Sequence, residues 1–120
     1  MLILEDEIAL RNSILQYLAR RGMDATAVSD GAEALSTLKA QSFDVIVSDV
    51  RMPGMNGRDF LGKLRVHRPE LLTRLIFSTG DALEPETAAL IRDSGAPTVS
   101  KPFDLATLER LIREVALRKR

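Results

Sequence analysis

The sequence predicts an α/β fold in which five parallel strands alternate with five helices. Three observations predict it. Short apolar runs recur along the chain without apolar–polar alternation, as strands buried on both faces require. Longer stretches with helical apolar spacing separate them. The connections are only a few residues long, and such βα alternation implies a parallel sheet covered by helices on both faces.

Leu2-Ile3-Leu4 forms the first strand. The helix after it places Leu10, Ile14 and Leu18 on one face, and Gly22 ends it. Ala25-Thr26-Ala27-Val28 is the second strand by position more than by strength. Ser29-Asp30-Gly31 leads into a second helix marked by Ala34, Leu35 and Leu38. Val45-Ile46-Val47 is the third strand, and Phe60, Leu61 and Leu64 mark a third helix that stops before Pro69. Leu75-Ile76-Phe77 is the fourth strand. Its helix carries Ala88, Leu90 and Ile91, with Pro85 in the first turn and Gly95 past the end. Thr98-Val99-Ser100 is a weaker fifth strand. Leu105, Leu108, Leu111, Ile112 and Val115 mark the last helix, with Asp104 as its expected N-cap. Right-handed crossovers leave few topologies. Five strands suit the order 2-1-3-4-5 of a flavodoxin-like (βα)5 three-layer sandwich. We expect one domain over residues 1–120.

Composition agrees and excludes several classes. The 120 residues are 45% apolar and 28% charged, which is ordinary globular usage and not disorder, collagen or a low-complexity tract. A chain this long buries about two thirds of its unfolded surface, enough for a core. Lys+Arg and Asp+Glu are 17 each, so bulk charge gives no case for direct nucleic-acid contact. The absence of Cys excludes disulfides, thiolate metal sites and cysteine nucleophiles. No apolar run approaches the roughly 18 residues of a membrane span. Glu5, Asp6 and Glu7 stand where a signal peptide needs basic and then apolar residues. The expectation is a soluble cytoplasmic domain without membrane contact.

Polar residues fall where such a sheet binds ligands, at the carboxyl ends of its strands near the switch between strands one and three. Glu5 and Asp6 follow strand one, Asp49 closes strand three, Ser78-Thr79 end strand four, and Ser100-Lys101 end strand five. Three clustered carboxylates repel one another unless a cation sits among them. Hard oxygen donors without His or Cys favour Mg²⁺ or Mn²⁺, and Mg²⁺ also takes phosphate oxygens. Lys101 offers a point charge for a phosphoryl group, Thr79 a hydroxyl donor, and a carboxylate is available as nucleophile. Plainer readings stand beside this one. Glu5-Asp6-Glu7 also suit a helix N-terminus. Thr79-Gly80-Asp81 and Lys101-Pro102 also suit turns. Asp49 is hardest to read as structural, because it follows a buried strand and precedes Met52-Pro53-Gly54, a stiff turn that holds the carboxylate outward. His67, the only His, is expected to be solvated at a helix end. Arg110, Arg113, Arg118, Lys119 and Arg120 are read as the solvated face and basic end of the last helix.

Four segments carry a resemblance. Leu2-Ile3-Leu4-Glu5-Asp6-Glu7, Ser48-Asp49-Val50-Arg51-Met52-Pro53-Gly54-Met55-Asn56-Gly57, Ser78-Thr79-Gly80 and Ser100-Lys101-Pro102-Phe103 resemble, in order and spacing, the motifs of response-regulator receiver domains of two-component signalling. The resemblance covers essentially the whole chain. It implies Asp49 as phosphoacceptor. It implies Mg²⁺ bound directly by Asp6, Asp49 and the backbone carbonyl of Arg51, with Glu5 acting through a water. Thr79 and Lys101 would hold the phosphoryl oxygens, and the Lys101–Pro102 bond would be cis. The implied partner is a histidine kinase or histidine phosphotransfer domain. The implied switching surface surrounds helices four and five, and two copies would pair through helix 4, strand 5 and helix 5. Arg11 and Ile14, with Pro102-Phe103, lie near the rim as a docking surface for the partner's helix, although core packing explains Ile14 equally well. Arg51 and Asp81 are expected to pair over the site mouth.

Two departures matter. Glu5 stands where the family usually has Asp. Thr98 stands where it often has Tyr or Phe, which leaves loop and fourth-helix movement as the route for switching. Phe77-Ser78-Thr79-Gly80-Asp81, Glu84-Pro85-Glu86 and Ser94-Gly95-Ala96-Pro97 resemble receivers at the C-terminus of hybrid sensor histidine kinases. A stand-alone single-domain regulator and a regulator cut before a DNA-binding domain remain open, as does a pseudo-receiver that is never phosphorylated. An FMN-binding flavodoxin would need a hydroxyl- and glycine-rich loop after strand one, which is acidic here. A hydrolase with an aspartyl-phosphate intermediate would want Asp two residues past the nucleophile, where Arg51 stands.

Overall fold

The computed structural model describes residues 1–52 and 54–118. Five strands alternate with five helices: β1 (Leu2–Leu4), α1 (Ile8–Arg20), β2 (Thr26–Val28), α2 (Gly31–Ala40), β3 (Ile46–Asp49), α3 (Gly57–His67), β4 (Leu75–Thr79), α4 (Pro85–Ser94), β5 (Thr98–Ser100) and α5 (Leu105–Ala116). The sheet is parallel throughout, in the order β2-β1-β3-β4-β5. The flavodoxin-like order expected from the sequence is therefore observed. Strands β3 and β4 run past their apolar cores to include Asp49 and Thr79, and Ala25 lies outside β2. The expected turn at Met52-Pro53-Gly54 rests on Pro53, and the basic end on Lys119 and Arg120. These three residues lie outside the described residues.

Successive strand residues face opposite sides, so each apolar strand feeds two cores. Leu2, Leu4, Ile46, Leu75 and Phe77 pack with Leu38 of α2, Phe60 and Leu64 of α3 and Leu90 of α4. Ile3, Val47, Ile76 and Val99 pack with Ile14 and Leu18 of α1 and Leu108, Ile112 and Val115 of α5. Ile14 is 2% exposed, so it is a core residue and not part of a docking surface.

Local chemistry sets the helix ends. Asp30 and Asn56 accept the N–H of Glu33 and Asp59 as caps of α2 and α3. Glu84 caps α4 through the N–H groups of Glu86 and Thr87. Gly95 ends α4 with φ 67°, a conformation that strains residues bearing a Cβ. Asp104 occupies the N-cap position of α5, but its side chain makes no capping bond. A 3-10 turn over Pro69–Arg74 was not expected; six residues are too few to show a helical period. It delivers Arg74 into the interior, where the guanidinium donates to the carbonyls of Val115 (2.9 Å), Ala116 (3.1 Å) and Arg118 (2.6 Å). A buried cation thus closes the C-terminus of α5, where the helix dipole favours it. Glu109 ties α5 to α1, accepting from Tyr17 Oη at 2.8 Å and pairing with Arg21 (3.1 Å) and Arg113 (2.8 Å).

Arg74→Met retains an apolar stem and strands those carbonyls. Urea unfolding is expected to show a loss of about 1.5–3 kcal/mol, the range for hydrogen bonds to a charged group. An unchanged midpoint would contradict the capping role. Glu109 gives a pH signature. The hydrogen bonds from Tyr17 and Arg113, with help from Arg21, outweigh burial and hold its carboxyl below the ordinary 4.5. A group lowered by folding stabilises the native state above its unfolded pKa and loses that contribution as pH falls through the folded one. Glu109→Gln should therefore flatten the loss of stability below about pH 4.5, read from urea midpoints at successive pH values.

Candidate functional site

Parallel register places the candidate residues on one edge. Glu5 and Asp6 directly follow β1, Asp49 is the last residue of the adjacent β3, Thr79 ends β4, and Lys101 follows β5. The pairing of Asp49 with Ser78 and of Thr79 with Ser100 brings these strand ends level. Backbone bonds lock the edge. Val50 N–H donates to Ser78 O at 3.0 Å, and Lys101 N–H donates to Thr79 O at 2.7 Å. The Lys101–Pro102 bond is cis, as the resemblance implied.

The Lys101 ammonium lies between two carboxylates, 2.7 Å from Asp49 Oδ2 and 2.8 Å from Glu5 Oε1. Glu5 is 2% and Asp49 8% exposed, whereas Asp6 faces solvent. The remaining oxygens are also engaged. Asp49 Oδ1 accepts Arg51 N–H at 3.2 Å, and Glu5 Oε2 accepts Glu7 N–H at 3.2 Å. Glu5 thus also serves the entrance to α1, where Glu7 itself makes no side-chain cap. Burial raises the Glu5 pKa above its ordinary value despite its bonds to Lys101 and Glu7. Burial also opposes the Lys101 ammonium, but the hydrogen bonds it donates to Asp49 and Glu5 outweigh it and raise that pKa. The lysine therefore remains charged at neutral pH.

Thr79 is buried, and its Oγ1 accepts Asp81 N–H at 3.1 Å, leaving the hydroxyl hydrogen available to donate. Arg51 pairs with Glu84 at 3.8 Å and not with Asp81 as expected. Glu84 sits at the head of α4, so the pair ties the segment after Asp49 to that helix. Sequence spacing singled out Asp81 because it lies two residues past Thr79. The capping geometry of Glu84 gave no comparable signal toward Arg51. His67 is exposed at the end of α3 and is not among the residues gathered at these strand ends.

The donor set suits a hard divalent cation. One oxygen from each of Glu5, Asp6 and Asp49 lies within 4.8 Å of the others. Oxygens on opposite sides of Mg²⁺ stand about 4.1 Å apart, given bonds of about 2.05 Å. The cluster is thus within an ångström of closing on such an ion, and no His or Cys competes.

A family model for the response regulator receiver domain matches residues 1–113. The chain belongs to that family. It is a receiver domain of two-component signalling. The receiver is 34% identical over 117 residues to the response regulator protein FleR of Pseudomonas aeruginosa, covering 98% of this chain and 24% of that protein. It is 36% identical over 120 residues to the probable transcriptional regulatory protein TcrX of Mycobacterium tuberculosis, covering all of this chain and 47% of that one. The chain therefore spans about a quarter to a half of these curated relatives. The receiver domain of sensor histidine kinase PA1611 from Pseudomonas aeruginosa superposes with a TM-score of 0.85 at 26% identity, covering 96% of this chain and 94% of that one. That structure has a magnesium ion coordinated in its active-site cleft. Receiver domains bind Mg²⁺ at an acidic pocket and act with histidine kinases or phosphotransfer proteins. Among the described residues of this receiver, no helix is long and apolar enough to cross a membrane.

The ammonium between two carboxylates yields a test without any partner. Lys101→Met should destabilise the receiver at about pH 7, because burial already disfavours the Glu5 charge. Glu5 would then carry a folded pKa raised further, so proton uptake favours the native state as pH falls. The gap to wild type is expected to narrow between about pH 7 and pH 5. Urea midpoints at the two pH values measure it, and a constant gap would contradict the electrostatic account.

Proposed function

We propose that Asp49 is the phosphoacceptor of a phosphorelay, receiving a phosphoryl group from the phosphohistidine of a kinase or histidine phosphotransfer domain. The observation that supports this most is the Asp49 carboxylate at the β3 edge, with Lys101 on one oxygen and Glu5 and Asp6 beside it. In the reaction, an Asp49 carboxylate oxygen attacks phosphorus in line. The P–N bond of the phosphohistidine breaks, and its electron pair leaves with the imidazole. An acyl phosphate results. Mg²⁺ or Mn²⁺, held by Asp6, Asp49 and the Arg51 backbone carbonyl with Glu5 acting through a water, would supply positive charge against the phosphoryl oxygens.

The protein's own residues do the rest. Lys101 exchanges the Asp49 carboxylate for a phosphoryl oxygen, a shift suited to a flexible point charge. Thr79 donates its hydroxyl hydrogen to another oxygen. The new group brings about −1.5 to −2 charges. As Thr79 turns toward it, the Asp81 N–H loses its acceptor and the segment before α4 moves. That movement, and not an aromatic at position 98, shifts the population of the α4, β5 and α5 surface. Two copies pair through that surface in this reading.

We place the receiver at residues 1–120 and read its surroundings as cytoplasmic, without direct nucleic-acid or membrane contact. A hybrid sensor histidine kinase is the proposed parent; a single-domain regulator is the alternative. The full-length open reading frame decides between them: a histidine-bearing helix and an ATP-binding domain upstream would mark the hybrid kinase.

The test is incubation with acetyl phosphate and Mg²⁺, followed by intact-mass measurement. Wild type should gain one phosphoryl group and Asp49→Asn none. Equal labelling would refute the assignment, and no labelling of either would favour the pseudo-receiver. Arg51→Ala tests the mouth. The Arg51–Glu84 pair holds a bulky side chain across the path of attacking water, so the variant's acyl phosphate should decay faster. An exposed pair is worth about 0–1 kcal/mol, which limits the change to roughly fivefold. An unchanged lifetime would exclude the shielding role.

A further inference from the structure

On the side of the molecule formed by α2 and α3, the two helices leave a groove of about 580 Å³ between them. Leu35, Leu64 and Met55 supply its apolar lining, and Lys39, Lys63 and His67 stand along it. No carboxylate lines it. Lys39 projects from α2 and Lys63 from α3, both exposed, and neither has an ion-pair partner among the described residues. Elsewhere Arg21 and Arg113 meet Glu109, Arg58 meets Asp93 and Arg51 meets Glu84, whereas Arg20, Arg65, Arg92 and Arg110, like the two lysines, have no ion-pair partner among the described residues. Arg68, at the end of the groove, is engaged by the Leu38 carbonyl and Glu70. In a chain of zero formal net charge, two unpaired lysines face each other across an apolar floor.

We propose that this groove docks an acidic amphipathic helix of a partner protein. An apolar strip at i, i+3, i+4 and i+7 would lie on Leu35 and Met55, and carboxylates on its flanks would meet Lys39 on one side and Lys63 on the other. Val66, 75% exposed on the same helix as Lys63, lines an adjoining hollow that shares Met55 and Lys63 with the groove and that Arg58 and Asp59 also line. Met55 suits an adaptable contact, being unbranched and polarizable. Nucleic acid fits less well. No Phe, Tyr or Trp lines the groove to stack a base, and two lysines over an apolar floor do not track a phosphate backbone.

The groove also touches the segment leading from Asp49 to α3. Met55 belongs to that segment and fills the space beside Gly31 at the head of α2, where a Cβ would stand 2.7 Å from Met55 Sδ. A helix seated on Met55 therefore contacts the loop that follows the candidate phosphoacceptor. Binding itself does not depend on phosphoryl transfer at Asp49.

The probe is a fluorescein-labelled peptide of about four helical turns, about 15 residues, with Leu at the apolar positions and Glu on both flanks. One control replaces Glu by Lys, and a second replaces Leu by Ser. In ¹⁵N-labelled protein, the Glu peptide should shift amides of α2, α3 and Met55. Its affinity by anisotropy should fall with added salt, and both controls should bind at least tenfold more weakly. Lys39→Glu combined with Lys63→Glu should also weaken binding at least tenfold with an unchanged melting temperature. Should that double variant melt early, the salt dependence and the Lys control decide. No binding at millimolar peptide would overturn the proposal. So would shifts confined to another face, salt-independent affinity, equal binding of the Lys peptide, or a DNA oligonucleotide taking the groove in preference.

Discussion

Two buried carboxylates at the ends of different strands share one ammonium, and the rest of the site depends on that arrangement. Glu5 and Asp49 are removed from water at the edge where β1 and β3 meet. Unpaired, such charges are costly in a low-dielectric setting. Lys101 Nζ, within 2.8 Å of both, offsets that cost with one side chain and leaves Asp6 free in solvent. The resting arrangement is thus held by a group that a phosphoryl oxygen would compete for. The same lysine stabilises the acids at rest and is positioned to change partners.

The sheet makes this geometry possible. Parallel pairing brings residues distant in sequence to one edge, because consecutive strands end on the same side and helices carry the chain back. Asp49 and Lys101 are 52 positions apart yet bonded. Two cores, one on each face, hold the strands from sliding. At the opposite end, Arg74 closes α5 and Glu109 joins α5 to α1. At the site end, the segments after β3 and β4 are tied instead by Arg51 to Glu84 and by the Asp81 N–H to Thr79.

Much of this was legible in the sequence. Leu2-Ile3-Leu4 and Leu75-Ile76-Phe77 read as strands because an unbroken apolar run fits burial on both faces. Position after those strands then marked Glu5, Asp6, Thr79 and Lys101. What escaped depended on side-chain reach. Arg74 looks like a surface arginine until the 3-10 turn carries it inward. Glu109 sits on the polar side of the α5 pattern, yet Tyr17 and Arg21 reach across from α1 to cover it. Arg51 was expected to meet Asp81, but Glu84 is held in place by its capping bonds and meets it instead. Ile14 was ambiguous between rim and core, and helix rotation places it in the core.

The central claim is that Lys101, Thr79 and the three acids serve one phosphoryl group on Asp49. A crystal structure of the receiver with Mg²⁺ and beryllofluoride, which mimics the acyl phosphate, tests it most directly. We expect beryllium bonded to an Asp49 oxygen, Lys101 Nζ and Thr79 Oγ1 each on a fluorine, and the metal against Asp6 and Asp49. An adduct that forms while Lys101 stays on Glu5 and Thr79 points away, or a metal bound elsewhere, would contradict the account.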